Sequence, residues 1–486
     1  MSEANPGPES DSTIEDYEDE MDDTSIKEDY AEIAIAARNK KKYARALELS
    51  FLFFEAQRSG KLPKDNRIPW RGDSAMNDRG HDGEDLTGGY YNFGRNYIKY
   101  TLPTAFTTTM LAWSVLTWPE GYKEAGQLDE AYKAIKWATD YFLKCHKKKY
   151  EFYIKVGSET IENNYWGRPE DMNHTRQAYK ADSQHPASDV LAETVAALAS
   201  ASIVFKDIFS EISYSKKCLN HAKNLYKFAN KYNGSHFAWM SDRFENLTYD
   251  NDMAWATIWL YKASKDIMYF GKAMNYYVKL DLSVLNSTFS YKNKLPGIQI
   301  VVAQMIKQLA APSYRFCDTM TNYRRRTRRG LVYLSEEDAL PLAANVAFLC
   351  LVAATSATDD LNKRYYIFAK QQINYMLGMG SGRSYVVGYD ATSPKQPRHL
   401  ASSCPSKPVP CEQEMIQQNV INPQTLYGAL VSGPNVEDDL TDYRNIRADE
   451  SRYICHTNVK IENNAGFTGV LAGLLQLENR KKKSRK

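Results

Sequence analysis

Residues 188–209 read SDVLAETVAALASASIVFKDIF, and this stretch decides the class of fold. Apolar side chains recur at the i, i+3, i+4, i+7 spacing of a helix and then spread around almost the whole circumference. Ser188 and Asp189 precede Leu191 as start signals, because their short oxygens satisfy the free N–H groups of a first turn. A helix apolar on nearly all sides lies inside a larger body. The same periodicity recurs at 43–58, 103–118, 128–145, 214–232, 252–264, 298–310, 339–357, 362–377 and 466–479. The two-residue alternation of strands is nearly absent. Ten to twelve helices joined by long loops at 59–102, 151–187 and 378–460 predict one large all-α domain, with no repeat at a solenoid period. Loops that long in a compact domain are where binding surfaces are built.

Composition agrees with a folded globular chain: of 486 residues, 43% are hydrophobic and 25% charged. Aromatics reach 12%, with 34 Tyr. The net charge of +3 is uneven. Residues 1–32 hold thirteen acids against one base, Lys27, so the rest of the chain carries about +15, and 480–486 (RKKKSRK) supplies six of those positive charges. Both ends are expected to be solvated tails. The expected organisation is an acidic disordered tail at 1–39, a barrel at 40–479 and a basic tail at 480–486. The start has neither a basic region nor an apolar run, so the chain as written is expected in the cytoplasm, without a membrane span. Seven cysteines are too few for a disulfide framework; Cys404 and Cys411, in a Pro-rich loop, can pair in an oxidising compartment. Four glycosylation sequons, at Asn173, Asn233, Asn246 and Asn286, fit a secreted ancestry. No His or Cys spacing suits zinc, and neither a metal nor a cofactor is expected.

The loops carry the informative motifs. Residues 58–102 contain NRIPWRGDSAMNDRG and GGYYNFGRNYIKYTL; 162–172 read ENNYWGRPEDM; 384–405 read SYVVGYDATSPKQPRHLASSCP; 422–435 read NPQTLYGALVSGPN; and 463–474 read NNAGFTGVLAGL. Together, from about Tyr43 to Leu477, they closely resemble glycoside hydrolase family 9, the inverting endo-β-1,4-glucanases, in particular its animal members. The resemblance implies an (α/α)6 barrel of six helical hairpins with a cleft formed by loops at one end. A β-glucan or other polysaccharide or oligosaccharide is the expected partner, no nucleic acid is expected, and the chain is expected to be a monomer.

An inverting glycosidase needs a carboxylate to activate water and a carboxylic acid to protonate the leaving oxygen. The family places the base in Asp-Ala-Gly-Asp directly after Gly-Gly-Tyr-Tyr. Here those places hold Asn92 and Arg95 or, because the spacing to Pro103 is one residue longer, Phe93 and Asn96. The family acid lies six residues before the Asn of Asn-Ala-Gly-Phe, which is Asn458; anchoring on Tyr453 gives Thr457 instead. A His-His-Arg segment maps to Arg398, His399 and Leu400; a His before Trp166 is replaced by Asn163; an aromatic site before Leu340 reads Glu336-Glu337-Asp338. Candidate sugar contacts are His399, Arg398, Trp166 and Tyr427, each with a structural alternative in packing or loop polarity. Trp255 and Trp259, four apart, read as core. Arg95 would attract an anion or simply pair with a cleft acid. The run Arg324-Arg325-Arg326-Thr327-Arg328-Arg329 reads as a solvated loop or an anion contact. The expected function is therefore a glycosidase-like barrel without hydrolysis, kept for binding glycan or protein. The alternatives are an active endoglucanase using displaced carboxylates, Glu450 or Glu462, and a scaffold acting through its charged tails.

Overall fold

The computed structural model describes residues 23–240, 249–282, 288–414, 420–441 and 456–484; Glu450, Tyr453, Asn246 and Asn286 lie outside them. The chain divides into two compact units, Met1–Lys42 and Tyr43–Lys486, and the second carries the features below.

Among the described residues, twelve helices of eight or more residues follow one another: α1 (Asp23–Ala56), α2 (Thr101–Thr117), α3 (Leu128–Cys145), α4 (Ser188–Asp207), α5 (Ile212–Lys231), α6 (Asp250–Ser264), α7 (Ile267–Lys279), α8 (Leu295–Met305), α9 (Ala311–Asp318), α10 (Ala339–Ala354), α11 (Asp359–Met376) and α12 (Asn463–Ser484). The even-numbered helices form the inner wall. Each packs on the next, α2 on α4, α4 on α6, α6 on α8, α8 on α10, α10 on α12, and α12 closes back on α2. The sequence explains the division. α4 and α10 bury nearly every residue, whereas α3 buries half of its length, on a stripe that includes Ala131, Ala134, Ile135, Ala138, Phe142 and Cys145. α4 is long and apolar enough to cross a membrane by composition, and its faces are covered by its barrel neighbours. The ring's interior is aromatic: Trp113, Trp255, Trp259 and Phe348 meet with ring centroids 5.2–5.8 Å apart. That is the expected core role of Trp255 and Trp259. The architecture is the (α/α)6 barrel.

Four features were not read from the sequence. Helix α1 begins at Asp23, inside the stretch expected as a tail, and α12 runs to Ser484, so most of 480–486 is helical. Helices α7 and α9 were not marked by periodicity; α7 buries only Tyr269 and Ala273, too thin a stripe to read. A small antiparallel sheet, β1 (Lys99–Tyr100), β2 (Phe152–Val156) and β3 (Ala178–Ala181), pairs Lys99 with Val156 and Phe152 with Ala181. Cys404 and Cys411 are bonded, and Cys317 is paired with Cys350, a contact that a separation of 33 residues concealed.

Candidate functional site

Three loop segments cross just before α2 and α12 begin. Gly94 N–H donates to Val459 O (3.0 Å), Ile461 N–H to Asn92 O (2.9 Å), Arg398 N–H to Thr457 O (2.9 Å) and Leu400 N–H to Gly94 O (2.6 Å). These are main-chain bonds, so they hold the segments together whatever side chains they carry. Gly94 is required here: a Cβ would lie 2.1 Å from Arg398 O. The positions assigned above to base, acid and basic segment therefore converge in space.

Their side chains are amides and a guanidinium. Asn92 is fully buried, donating to Thr104 Oγ1 (2.8 Å) and accepting from Tyr100 N–H. Asn96, also buried, donates to Asn163 Oδ1 (3.0 Å) and accepts from Ile98 N–H (3.3 Å). The extra residue in this loop is thus absorbed so that Asn92 and Asn96 face inward. Phe93 and Arg95 sit at the rim, with the guanidinium 6.0 Å from the Phe93 ring centre. Asn458 accepts from Arg398 Nη1 (3.2 Å), and Arg398 itself is buried. Thr457 is completely buried, which leaves Asn458 as the residue in the acid position. An amide is not a Brønsted acid near neutral pH, so none of the three can relay a proton; Asn92 and Asn96 are buried with their hydrogen bonds made inside the protein, and Asn458 alone is partly exposed.

His399 departs from its expected role. It is 3% exposed. Nδ1 accepts from Ser402 N–H (3.0 Å), so the hydrogen is on Nε2, which donates to Gln57 Oε1 (2.9 Å). Burial, with Arg71 nearby, pushes its pKa down to about 3. Both ring nitrogens are used inside the protein, so His399 is a neutral brace rather than a sugar contact. Trp166 packs, partly buried, against the cluster of Tyr91, Tyr97, Leu400 and Cys404. Tyr427 is 45% exposed over Gly388 and remains available to a ligand. The basic run is mostly engaged: Arg326 donates to Thr321 O (2.8 Å), and Arg329 N–H to Asp438 (2.8 Å).

Buried ion pairs support the loops from beneath. Asp78 binds Lys99 (2.6 Å) and Arg176 (2.8 Å), Arg176 also donates to Tyr97 O (2.8 Å), and Arg71 pairs with Glu170 (2.7 Å). Asp338, where an aromatic was expected, instead joins Lys460 (2.8 Å) and Ser432 Oγ (3.0 Å). Glu462, the displaced carboxylate of the alternative reading, is 7% exposed, and neither carboxyl oxygen has a hydrogen-bond partner. Burial raises its pKa to about 7 against the opposing pull of Lys460.

The sequence model of Glycosyl hydrolase family 9 matches residues 43–471. Endoglucanase A of Bacillus pumilus is 38% identical over 457 residues, covering 90% of this chain and 66% of the relative, so the chain spans about two thirds of that protein. Endoglucanase 16 of Arabidopsis thaliana is 35% identical, covering 83% of this chain and 88% of the relative. Among solved structures, the endoglucanase of the termite Nasutitermes takasagoensis superposes with a TM-score of 0.83 at 39% identity, covering 90% of this chain and 99% of that one. The cellulase Cel9M of C. cellulolyticum, solved with cellobiose, gives 0.79 at 31% identity, covering 90% and 98%.

Proposed function

The chain belongs to glycosyl hydrolase family 9, and we propose that it holds a β-1,4-glucan in the cleft of this barrel without cleaving it by the two-carboxylate route. The observation that carries this reading is the convergence of Asn92, Asn96 and Asn458 on one crossing of loops that is otherwise fully braced. Losing a general acid or a general base costs about 10²–10⁴ in rate each. Binding has no such requirement, because amides, guanidinium and aromatic faces suffice for sugar hydroxyls and ring faces. Cel9M was solved with cellobiose, and CelQ of Clostridium thermocellum, with a TM-score of 0.77, was solved with cellotriose. A cello-oligosaccharide is therefore the ligand to try. Titrating cellohexaose into the protein in a calorimeter is expected to give saturable heat. No heat at millimolar sugar would remove the glycan reading and shift weight to a scaffold acting through its charged ends.

A second reading keeps hydrolysis and rests on Glu462. A carboxyl with a pKa near 7 and no hydrogen-bond partner is about half protonated at neutral pH, so a proton-bearing fraction is present for general-acid work. It lies four residues beyond Asn458, and this reading further requires a base. Glu462→Gln separates the two readings, since it abolishes turnover only if Glu462 supplies the proton.

A further inference from the structure

We propose a second ligand site on the outer wall of the barrel, at α3, that takes the phosphate or sulfate ester group of a sugar. A cavity of about 410 Å³ opens there between the Thr87–Gly89 turn, the last turns of α3 and Lys217 of α5. Volumes of this order hold a single sugar with its substituent. Its walls combine an aromatic surface with cations. Trp137 and Tyr141 provide the apolar face, and Trp137 is fixed by an Nε1–H bond to Gly89 O (2.8 Å). Gly89, at φ +76°, brings the turn against the Tyr141 ring; a Cβ there would sit 2.8 Å from it. The wall is shaped by a position that only glycine fills without strain.

The charges around the cavity do not cancel. Four lysines line it: Lys61, Lys144, Lys147 and Lys217. Lys144 is neutralised by Asp85 (2.9 Å) and also donates to Thr87 O (2.9 Å). The one acid in the lining, Asp140, is held by Lys136 (2.9 Å). Lys61, Lys147 and Lys217 have no carboxylate partner among the described residues, and all three are exposed, so their side chains can swing over a ligand. Their field reaches inward: His221, hydrogen-bonded to His146, is held below its usual pKa by burial and then by Lys217 and Lys147. Three unpaired cations on one concave, aromatic-walled site suit a compact ligand with more than one negative charge at one end and a ring at the other. A neutral glucan gains nothing from them. This separates the site from the loop crossing, where Asn458 is the partly exposed amide.

The test is calorimetry at low ionic strength with three probes: glucose 6-phosphate, glucose 6-sulfate and glucose. At least one ester is expected to bind while glucose does not, and the tighter ester identifies the source of the anion. Lys61→Gln/Lys147→Gln/Lys217→Gln should weaken that binding roughly tenfold or more, as three solvent-exposed charge pairs would. About 0.5 M salt should also weaken it, through screening. Two further measurements guard the result. The triple variant should melt like the parent and titrate with cellohexaose like the parent, so failure here is distinct from failure of the cleft reading. Glucose 6-phosphate should protect Lys147 from amine acylation. Equal response to glucose and both esters, or ester binding unchanged in the triple variant, would overturn the site.

Discussion

Asn92→Asp/Asn96→Asp/Asn458→Glu is expected to hydrolyse soluble β-1,4-glucan at least about 10²-fold faster than the parent chain, and about 10⁴-fold or more if both acid and base are recovered. The expectation rests on the backbone. The crossing of 92–94, 398–400 and 457–461 is held by main-chain bonds that the three substitutions leave alone. Asp at 92 still accepts from Tyr100 N–H; Thr104 Oγ1 can turn from Tyr100 O to donate to it. The weak point is Arg398. Its guanidinium already bonds residue 458, and beside a glutamate it would favour the ionised form and hold the pKa of the new acid down. The repaired protein should therefore work best at acidic pH, and adding Arg398→His should move the optimum upward. A repaired variant that folds and binds cellohexaose yet stays as inactive as the parent would show that the cleft geometry, and not only its chemistry, has been lost.

The largest stability effect is expected at Lys294→Met. Lys294, 1% exposed, lies between Glu193 (3.0 Å) and Asp252, on α4 and α6, and Trp255 Nε1–H also reaches Glu193 (3.2 Å). Removing the cation leaves two buried carboxyls uncompensated, a loss of about 3–5 kcal/mol at pH 7. For a unit of this size that is a few degrees in melting temperature. The pH dependence follows from burial. Asp252 is already raised to about 7, chiefly by desolvation against the pull of Lys294. In the folded state it keeps a proton that the unfolded chain releases near pH 4, so its contribution to stability is greatest in acid and is lost as pH rises through about 7. Without Lys294 both carboxyls behave this way more strongly. The gap between variant and parent should widen from pH 5 to pH 8. Adding Glu193→Gln and Asp252→Asn should recover most of the loss, and melting curves across that range check it.

Much of this was legible because inner helices bury every face and outer helices one. That difference is a difference of period and composition, visible in 188–209 against 128–145. The convergence of Asn92, Arg398 and Asn458 was legible through motif order. Other features depend on contacts the chain makes with itself over long distances. The choice of Asn96 over Arg95 is set by where one extra residue bulges, and only the bond to Asn163 reveals it. His399 could not be assigned without Gln57, 342 residues away. Glu462 was legible as a displaced carboxylate, but that neither of its oxygens has a hydrogen-bond partner is something no sequence pattern reports.

The central claim is tested most directly by measuring reducing-end release from carboxymethylcellulose with the purified parent chain, alongside Glu462→Gln. No release above a blank is expected from either protein, while cellohexaose still binds. Release by the parent that Glu462→Gln abolishes would contradict that claim and make the chain a working glucanase with a displaced acid.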